Sequence, residues 1–239
     1  MVLVLSLFAS ASCFSATNGT IGALVYLRQT AGSSGLDRGL LIFQQLATAI
    51  LLAVHHVNQG DASVVGTVTA SMIPQGFSLR YKMSDTHSDQ SYAVRALLDW
   101  RCEQGAQDYQ CPKPQNYSGA SNDLTAYQAP LNAPLDAIVG PFRSEESAAV
   151  CNLASALGMK LFPIISYSSV LPEMADKVRY PTFSRVAPSL RPAGSGIIRL
   201  FSNLGWKSCA VLYVRDPWGN GFVSDFTSQV WGGRAFVPL

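Results

Sequence analysis

Charge is scarce in this sequence. Only 13% of its 239 residues are charged, and 17 Lys and Arg against 15 Asp and Glu leave a net charge of +2. No RNP pattern, zinc-finger spacing or basic helix accompanies that balance, which argues against nucleic acid as a partner. Histidine is nearly missing, with three in the chain. There is no CxxC and no HExxH, and His55 and His56 are adjacent rather than at ligand spacing, so no metal centre is expected. A Walker loop and a GxSxG elbow are also absent, so nothing in the motifs implies a cofactor or a serine hydrolase. Beyond the first residues no run of about 20 apolar residues occurs, so no membrane span is expected in the mature chain.

What is present can fill a core. Hydrophobic residues make up 48% of the chain, and that argues against disorder. The length suits one large domain or two small ones of about 100–200 residues. The start, "MVLVLSLFASASCFSA", is apolar and then small, the pattern of a secretory signal peptide over residues 1–16, although its first residues carry no Lys or Arg. A buried N-terminal strand is the competing reading. Two acceptor sequons, at Asn18 and Asn116, fit export and glycosylation. Of five cysteines, Cys13 leaves with the signal peptide, and Cys102 and Cys111 share a short polar loop that suits a disulfide in an oxidising compartment. Closing so short a loop contributes roughly 2–3 kcal/mol. Cys151, in a helical pattern, and Cys209, in a strand pattern, read as buried small hydrophobes.

Strand and helix signals alternate. Residues 20–27 read as a strand, Leu40–Asn58 as a helix, 77–86 as a strand, and 88–102 as a helix with Ser88 or Asp89 as its N-cap. Prolines break residues 103–134. Strand signals return at 135–139, 160–165 and 208–214, with helices at Ser144–Leu157, 190–205 and 217–231 between and after them, and 233–239 resembles a strand start. Strands alternating with helices predict an α/β fold, a doubly wound parallel sheet. In "LLIFQQLATAILLAV", Leu40 to Val54, Gln44, Thr48 and His55 share one side, as in a helix packed on a sheet rather than one crossing a membrane.

In such sheets ligands bind beyond the carboxyl ends of the strands. "GPFRSEES", Gly140 to Ser147, follows the third strand and opens a helix, so it belongs to that edge. Ser144 and Ser147 could act as nucleophiles only with a histidine base, and His87 after the second strand is the one candidate at the same edge. The adjacent pair Glu145 and Glu146 would repel a phosphate and reads as ordinary compensation of the helix dipole. Hydroxyls and helix N–H groups suit a small acceptor-bearing ligand instead. A second hydroxyl cluster, Ser166, Tyr167 and Ser168, follows the next strand, and simple capping of each following segment is the competing reading.

Six segments in order, "IGALVYL", "AILLAVHHVN", "LRYKMSDTHSDQSYAVRAL", "DAIVGPFRSEES", "FPIISYSSVLPEMADKVRYPTFSRVAPS" and "LGWKSCAVLYVRDPWGNGFVSDF", resemble the extracellular ligand-binding region of a receptor family. Its members include metabotropic glutamate, GABA-B and natriuretic-peptide receptors, with a Venus-flytrap fold of the periplasmic-binding-protein type. The resemblance implies a ligand-binding lobe 1 over residues 20–186 and a truncated first portion of lobe 2 over 187–239. It also implies an extracellular, plasma-membrane signalling receptor of the class C G-protein-coupled or receptor-cyclase type, and no enzyme. A secreted or periplasmic solute-binding protein feeding a transporter is the alternative.

The same resemblance places the ligand. Ser144 matches the serine that holds an α-carboxylate in amino-acid-sensing members, and Tyr167 and Ser168 match the segment that holds the α-amino group. Val170 replaces a threonine there and Leu190 an aspartate, while Trp218 stands for the tyrosine of lobe 2 that covers the ligand. An unpaired ammonium is costly to bury, so an ordinary α-amino acid is not expected. Phe142 and Arg143 stand where relatives have Gly and Ser, which narrows the pocket, adds a cation and points to an anionic small molecule. The ligand-binding set is therefore Ser144, Ser166, Tyr167, Ser168, Arg143 and Trp218. Family members dimerise through two lobe 1 helices that match Ser88–Arg101 and Glu145–Leu157, with Val150, Leu153 and Leu157 as contact candidates and a plain core face as the competing reading.

Overall fold

The computed structural model describes residues 18–27, 38–66, 71, 73–103, 128–129, 133–159 and 162–232. The signal-peptide segment 1–16 with Cys13, the residues Cys111 and Asn116, and the expected strand start at 233–239 lie outside them. In chain order the elements are β1 (Asn18–Val25), α1 (Arg38–Gln59), α2 (Ala62–Val65), β2 (Ser78–Asp85), α3 (Gln90–Glu103), β3 (Ala137–Val139), α4 (Ser144–Ala156), β4 (Ile164–Ser166), a 3-10 turn at Pro172–Ala175, β5 (Phe183–Arg185), α5 (Arg191–Asn203) and α6 (Pro217–Gly232). The strands form one parallel sheet in the order β2-β1-β3-β4-β5. The expected α/β fold with helices on both faces is the observed one.

Alternation along the strands decides what each face meets. Ile21, Leu79, Tyr81 and Ala137 turn to one side and pack against Leu51, Val54 and Val57 of α1. Those three recur at helical spacing, while Gln44 and Thr48 are exposed on the other side of α1. Asn58 fastens the end of this helix to the sheet: its Nδ2 donates to the Leu79 carbonyl at 2.8 Å and its Oδ1 accepts from the Leu79 N–H at 2.6 Å. Leu24, Ile138, Ile164 and Phe183 turn to the opposite side, where Leu97, Trp100, Val150, Cys151 and Ala154 of α3 and α4 close the larger core. Gly22 lets Trp100 lie flat on β1, since a Cβ there would stand 2.6 Å from the ring. Among the described residues no helix is long and apolar enough to cross a membrane.

Helix ends follow their sequence signals. Gly158 and Gly205 take φ of 72° and 69° just past α4 and α5. Asp89 accepts the Ser91 N–H at 2.7 Å and caps α3. Strand β5 carries no periodic signal and was not expected. Two expectations fail together near the C-terminal end. Residues 208–214 form no strand and are exposed, with Leu212 fully so, and Cys209 is exposed where burial was expected. A strand persists only where neighbours take up its N–H and C=O groups. Among the described residues none lies alongside this segment. Helices α5 and α6 pack on each other, and α6 meets the turn after β4, where Gly221 receives Leu171.

Candidate functional site

The strand order reverses at β1: the chain moves outward to β2, then returns to build β3, β4 and β5 on the other side. The crevice beyond the carboxyl ends of β1 and β3 is therefore the switch point, where ligands bind in open α/β sheets. Gly140 makes the turn that leaves β3. Its N–H donates to the Ile165 carbonyl at 2.8 Å, its φ is 106°, and a Cβ would run into the carbonyl oxygen of Leu24. No other residue type fits that position. The loop then carries Phe142 and Arg143 to the mouth of the crevice and starts α4.

Of the serines expected at this edge, Ser147 and Ser166 are joined through the hydroxyl of Ser169. Ser144, Ser147, Ser166 and Ser169 are all buried. Ser144 Oγ accepts the N–H groups of Val170 and Leu171 at 3.1 and 3.3 Å. It therefore does not cap its own helix; Arg143, in an extended conformation, holds the N-cap position. Ser166 Oγ accepts from the Ser168 and Ser169 N–H groups at 3.2 and 2.9 Å and donates to the Pro141 carbonyl at 2.7 Å. Ser169 Oγ lies 2.6 Å from Ser147 Oγ and 3.2 Å from the Arg143 carbonyl. Ser169 Oγ is also 2.8 Å from Ser166 Oγ, so this hydroxyl lattice offers the one proton of Ser166 two acceptors, Ser169 and the Pro141 carbonyl. The lattice locks the loop after β3 to the loop after β4. Arg185 braces the second loop, its Nη1 donating to the carbonyls of Leu171 at 2.8 Å and Ser169 at 3.3 Å.

Of the remaining expected residues, Arg143, Tyr167 and Ser168 lie on these two loops and Trp218 lies on α6. Tyr167 is half-buried and donates its hydroxyl to the Leu24 carbonyl at 3.2 Å, across the switch point. Burial, with the Glu146 charge behind it, pushes the phenol above its usual range. The Phe142 ring lies 6.2 Å from that of Tyr167. Ser168 is half-buried, and Arg143 is exposed with its Nη1 3.2 Å from Glu145 Oε1. Trp218 starts an aromatic ladder along α6, stacked 6.0 Å from Phe222, which is 6.1 Å from Phe226. His87 stands 3.8 Å from Asp85 and 4.6 Å from the Tyr92 ring, and among the described residues no contact joins it to Ser144 or Ser147. Among the described residues no three His, Cys, Asp or Glu groups gather to hold a metal.

One residue departs from its sequence reading. Glu145 is half-buried and pairs with the exposed Arg143, but Glu146 is wholly buried. Its two oxygens each lie 3.4 Å from Thr86 Oγ1, itself fully buried, and one accepts the Arg143 N–H at 3.4 Å. Burial, which outweighs the pull of Arg143, pushes its carboxyl up to about 7. Helical spacing was the available signal: Glu146, Val150 and Ala154 form one stripe, and the latter two are core residues.

Elsewhere, Cys102 is disulfide-bonded, and its expected partner Cys111 is outside the described residues. Asn18 is exposed at the first position of β1. The outer faces of α3 and α4 leave an open groove of about 720 Å³ whose lining includes Val94, Arg95, Leu98, Asp99 and Ala149. Val150, read either as a contact or as part of a plain core face, is fully buried in the core; Leu153 and Leu157 are half-buried.

The geometry agrees with what the chain is similar to. Residues 45–231 match the family described as receptor family ligand binding region. Taste receptor type 1 member 3 of Mus musculus is 27% identical over 183 residues, 77% of this chain and 18% of that protein. Metabotropic glutamate receptor 8 of Homo sapiens is 27% identical over 182 residues, 75% of this chain and 18% of that protein. G-protein coupled receptor family C group 6 member A of Carassius auratus is 26% identical over 177 residues, 72% of this chain and 18% of that protein. The chain thus spans under a fifth of the length of these relatives. A parallel sheet with its switch point at the paired serine loops, and a family match across most of the sequence, make this chain a member of the receptor family of ligand-binding regions.

Proposed function

We propose that the chain binds an anionic small molecule at the β1–β3 switch point, as the extracellular sensing part of a plasma-membrane receptor. What supports the reading is that Arg143 follows the turn after β3 and Tyr167 and Ser168 follow β4, on two loops joined by buried serines. Arg143 is the exposed cation of the set and supplies a planar donor fork for a carboxylate. Tyr167 and Ser168 add donors, and the Phe142 and Tyr167 rings give an apolar wall. Ser144 acts from behind: a ligand oxygen that takes its hydroxyl has to compete with the Val170 and Leu171 N–H groups. Trp218 approaches from the portion after residue 187, assigned to the second lobe, when the cleft closes.

The relatives named above support a seven-helix output over a cyclase, and a receptor over a transporter-feeding binder. The groove between α3 and α4 is the proposed lobe 1 dimer contact, through Val94, Leu98 and Ala149 rather than Val150. The Cys102–Cys111 disulfide and glycans at Asn18 and Asn116 belong to the same extracellular reading.

A thermal-shift panel of organic acids, amino acids and sugars on the whole chain tests the ligand class. A ligand at 100-fold its dissociation constant adds about 2.7 kcal/mol to stability. Anionic compounds should stabilise the chain, and Arg143→Ala should abolish that gain while leaving the unliganded Tm within about 1–2 °C, because its pair with Glu145 is exposed. Stabilisation by uncharged compounds alone sinks the reading.

A further inference from the structure

We propose that Glu146 is a proton-sensing group at the base of the crevice, and that its protonation sets the state of the loop that carries Arg143 and Ser144. The proposal rests on the ligand reading for its purpose but not for its chemistry.

The geometry calls for it. A carboxylate shut away from water needs a cation or several short hydrogen bonds to stay ionised. Glu146 is fully buried and, among the described residues, is in no salt bridge and has no short hydrogen bond. Its contacts are one hydroxyl shared between both oxygens and one backbone N–H, each at 3.4 Å. From its own helix Glu145 repels its charge and Arg143 attracts it. From the loop after β4 Tyr167 faces it and is itself pushed up by it. From the end of β2 only Thr86 reaches it; Asp85 accepts the Leu27 and His87 N–H groups, at 3.0 and 2.9 Å, and the His87 ring turns toward Asp85. The carboxyl is pushed up to about 7, so both forms are populated near neutral pH.

The two forms make different demands on the loop. An ionised Glu146 needs donors and draws the Arg143 guanidinium inward, away from Glu145. A protonated Glu146 donates its own proton to Thr86 and leaves Arg143 on Glu145 at the crevice mouth. The cation offered to an anionic ligand is therefore greater at lower pH, which couples proton uptake to anion binding.

A carboxyl ¹³C titration of the whole chain labelled in glutamate, without added ligand, tests this. One resonance should titrate with a midpoint above about 6, against about 4.3 for an ordinary glutamate, and be missing from Glu146→Gln. The backbone amides of Thr86 and Arg143 should follow the same midpoint. Thr86→Val, which removes the one hydroxyl donor, should raise that midpoint further and identifies the resonance even where Glu146→Gln folds poorly. A Glu146 midpoint below about 6, or Thr86 and Arg143 amides that do not follow it, overturns the proposal. Because no ligand enters the titration, its failure leaves the ligand panel standing, and the panel's failure leaves the titration standing.

Discussion

Leu212 and Glu146 stand in surroundings opposite to their polarity. Leu212 is a fully exposed aliphatic residue in an extended segment, whereas Glu146 is a fully buried carboxylate in the first turn of α4. The difference lies in the neighbours. Around Glu146 the sheet is complete enough that β3, α3, α4 and the loop after β4 exclude water from every position on the inner stripe of the helix, whatever its chemistry. Around Leu212 no strand of the described residues lies alongside, so residues with strong strand character remain in water. Packing decides environment, and residue type decides only whether that environment stabilises or costs.

The sharpest way to break the packed side is at Gly140. With φ of 106° and a Cβ position blocked by the Leu24 carbonyl oxygen, Gly140→Val has to displace β1 or β3. We expect a loss of roughly 4 kcal/mol or more, among the largest single-residue effects. Urea unfolding followed by far-UV circular dichroism should show no cooperative transition, or one shifted far to low urea. A transition like that of the parent chain would mean that the turn after β3 is not the fixed point described here.

Next in size is a direct contrast between two aliphatic truncations. Ile138, fully buried in β3 between β1 and β4, should cost about 2–5 kcal/mol as Ile138→Ala. Leu212→Ala removes a side chain already in water and should change stability by no more than about 0.5 kcal/mol. Equal losses in the same urea experiment would show that 208–214 is packed in solution, and the contrast drawn above would fail.

Much of the fold was legible in the sequence because amphipathic contrast is strong where a helix packs on a sheet. Ala47, Leu51, Val54 and Val57 against Gln44 and Thr48 mark α1 without any knowledge of its partner. The turn after β3 was legible from Gly-Pro alone. Strand β5 was not, since Phe183–Arg185 is too short to show a period. The 208–214 segment misled for the opposite reason: its residues suit a strand, but a parallel strand is stable only beside another. The candidate site divides in the same way. Ser144, Ser166 and Tyr167 could be placed at one edge from topology, yet the partners of Ser144 are backbone groups 26 and 27 residues away, which no local pattern encodes. Glu146 was misread because acidic residues are ordinary in a first helical turn, and that expectation overrode the stripe it shares with Val150 and Ala154.

A third stability effect, dependent on pH, tests the buried carboxylate itself. The folded-state pKa of Glu146 lies above its ordinary value, so the folded chain holds this proton more tightly than the unfolded chain does. Below about pH 4.5 both states are protonated and the residue costs nothing. As pH rises toward about 7 the unfolded chain releases the proton first, and the folded state loses relative stability; above 7 the full cost is present. A rise from 4.5 to about 7 corresponds to about 3 kcal/mol. Glu146→Gln keeps the shape and removes the charge, so it should stabilise the chain by up to about 3 kcal/mol at pH 8 and leave it unchanged at pH 4. Asp136, also pushed up by burial, contributes the same sign to both proteins and cancels in the difference. Urea midpoints of the two chains measured across that range should therefore diverge as pH rises. Parallel curves would place Glu146 in contact with water, and would remove the polar half of the contrast with Leu212.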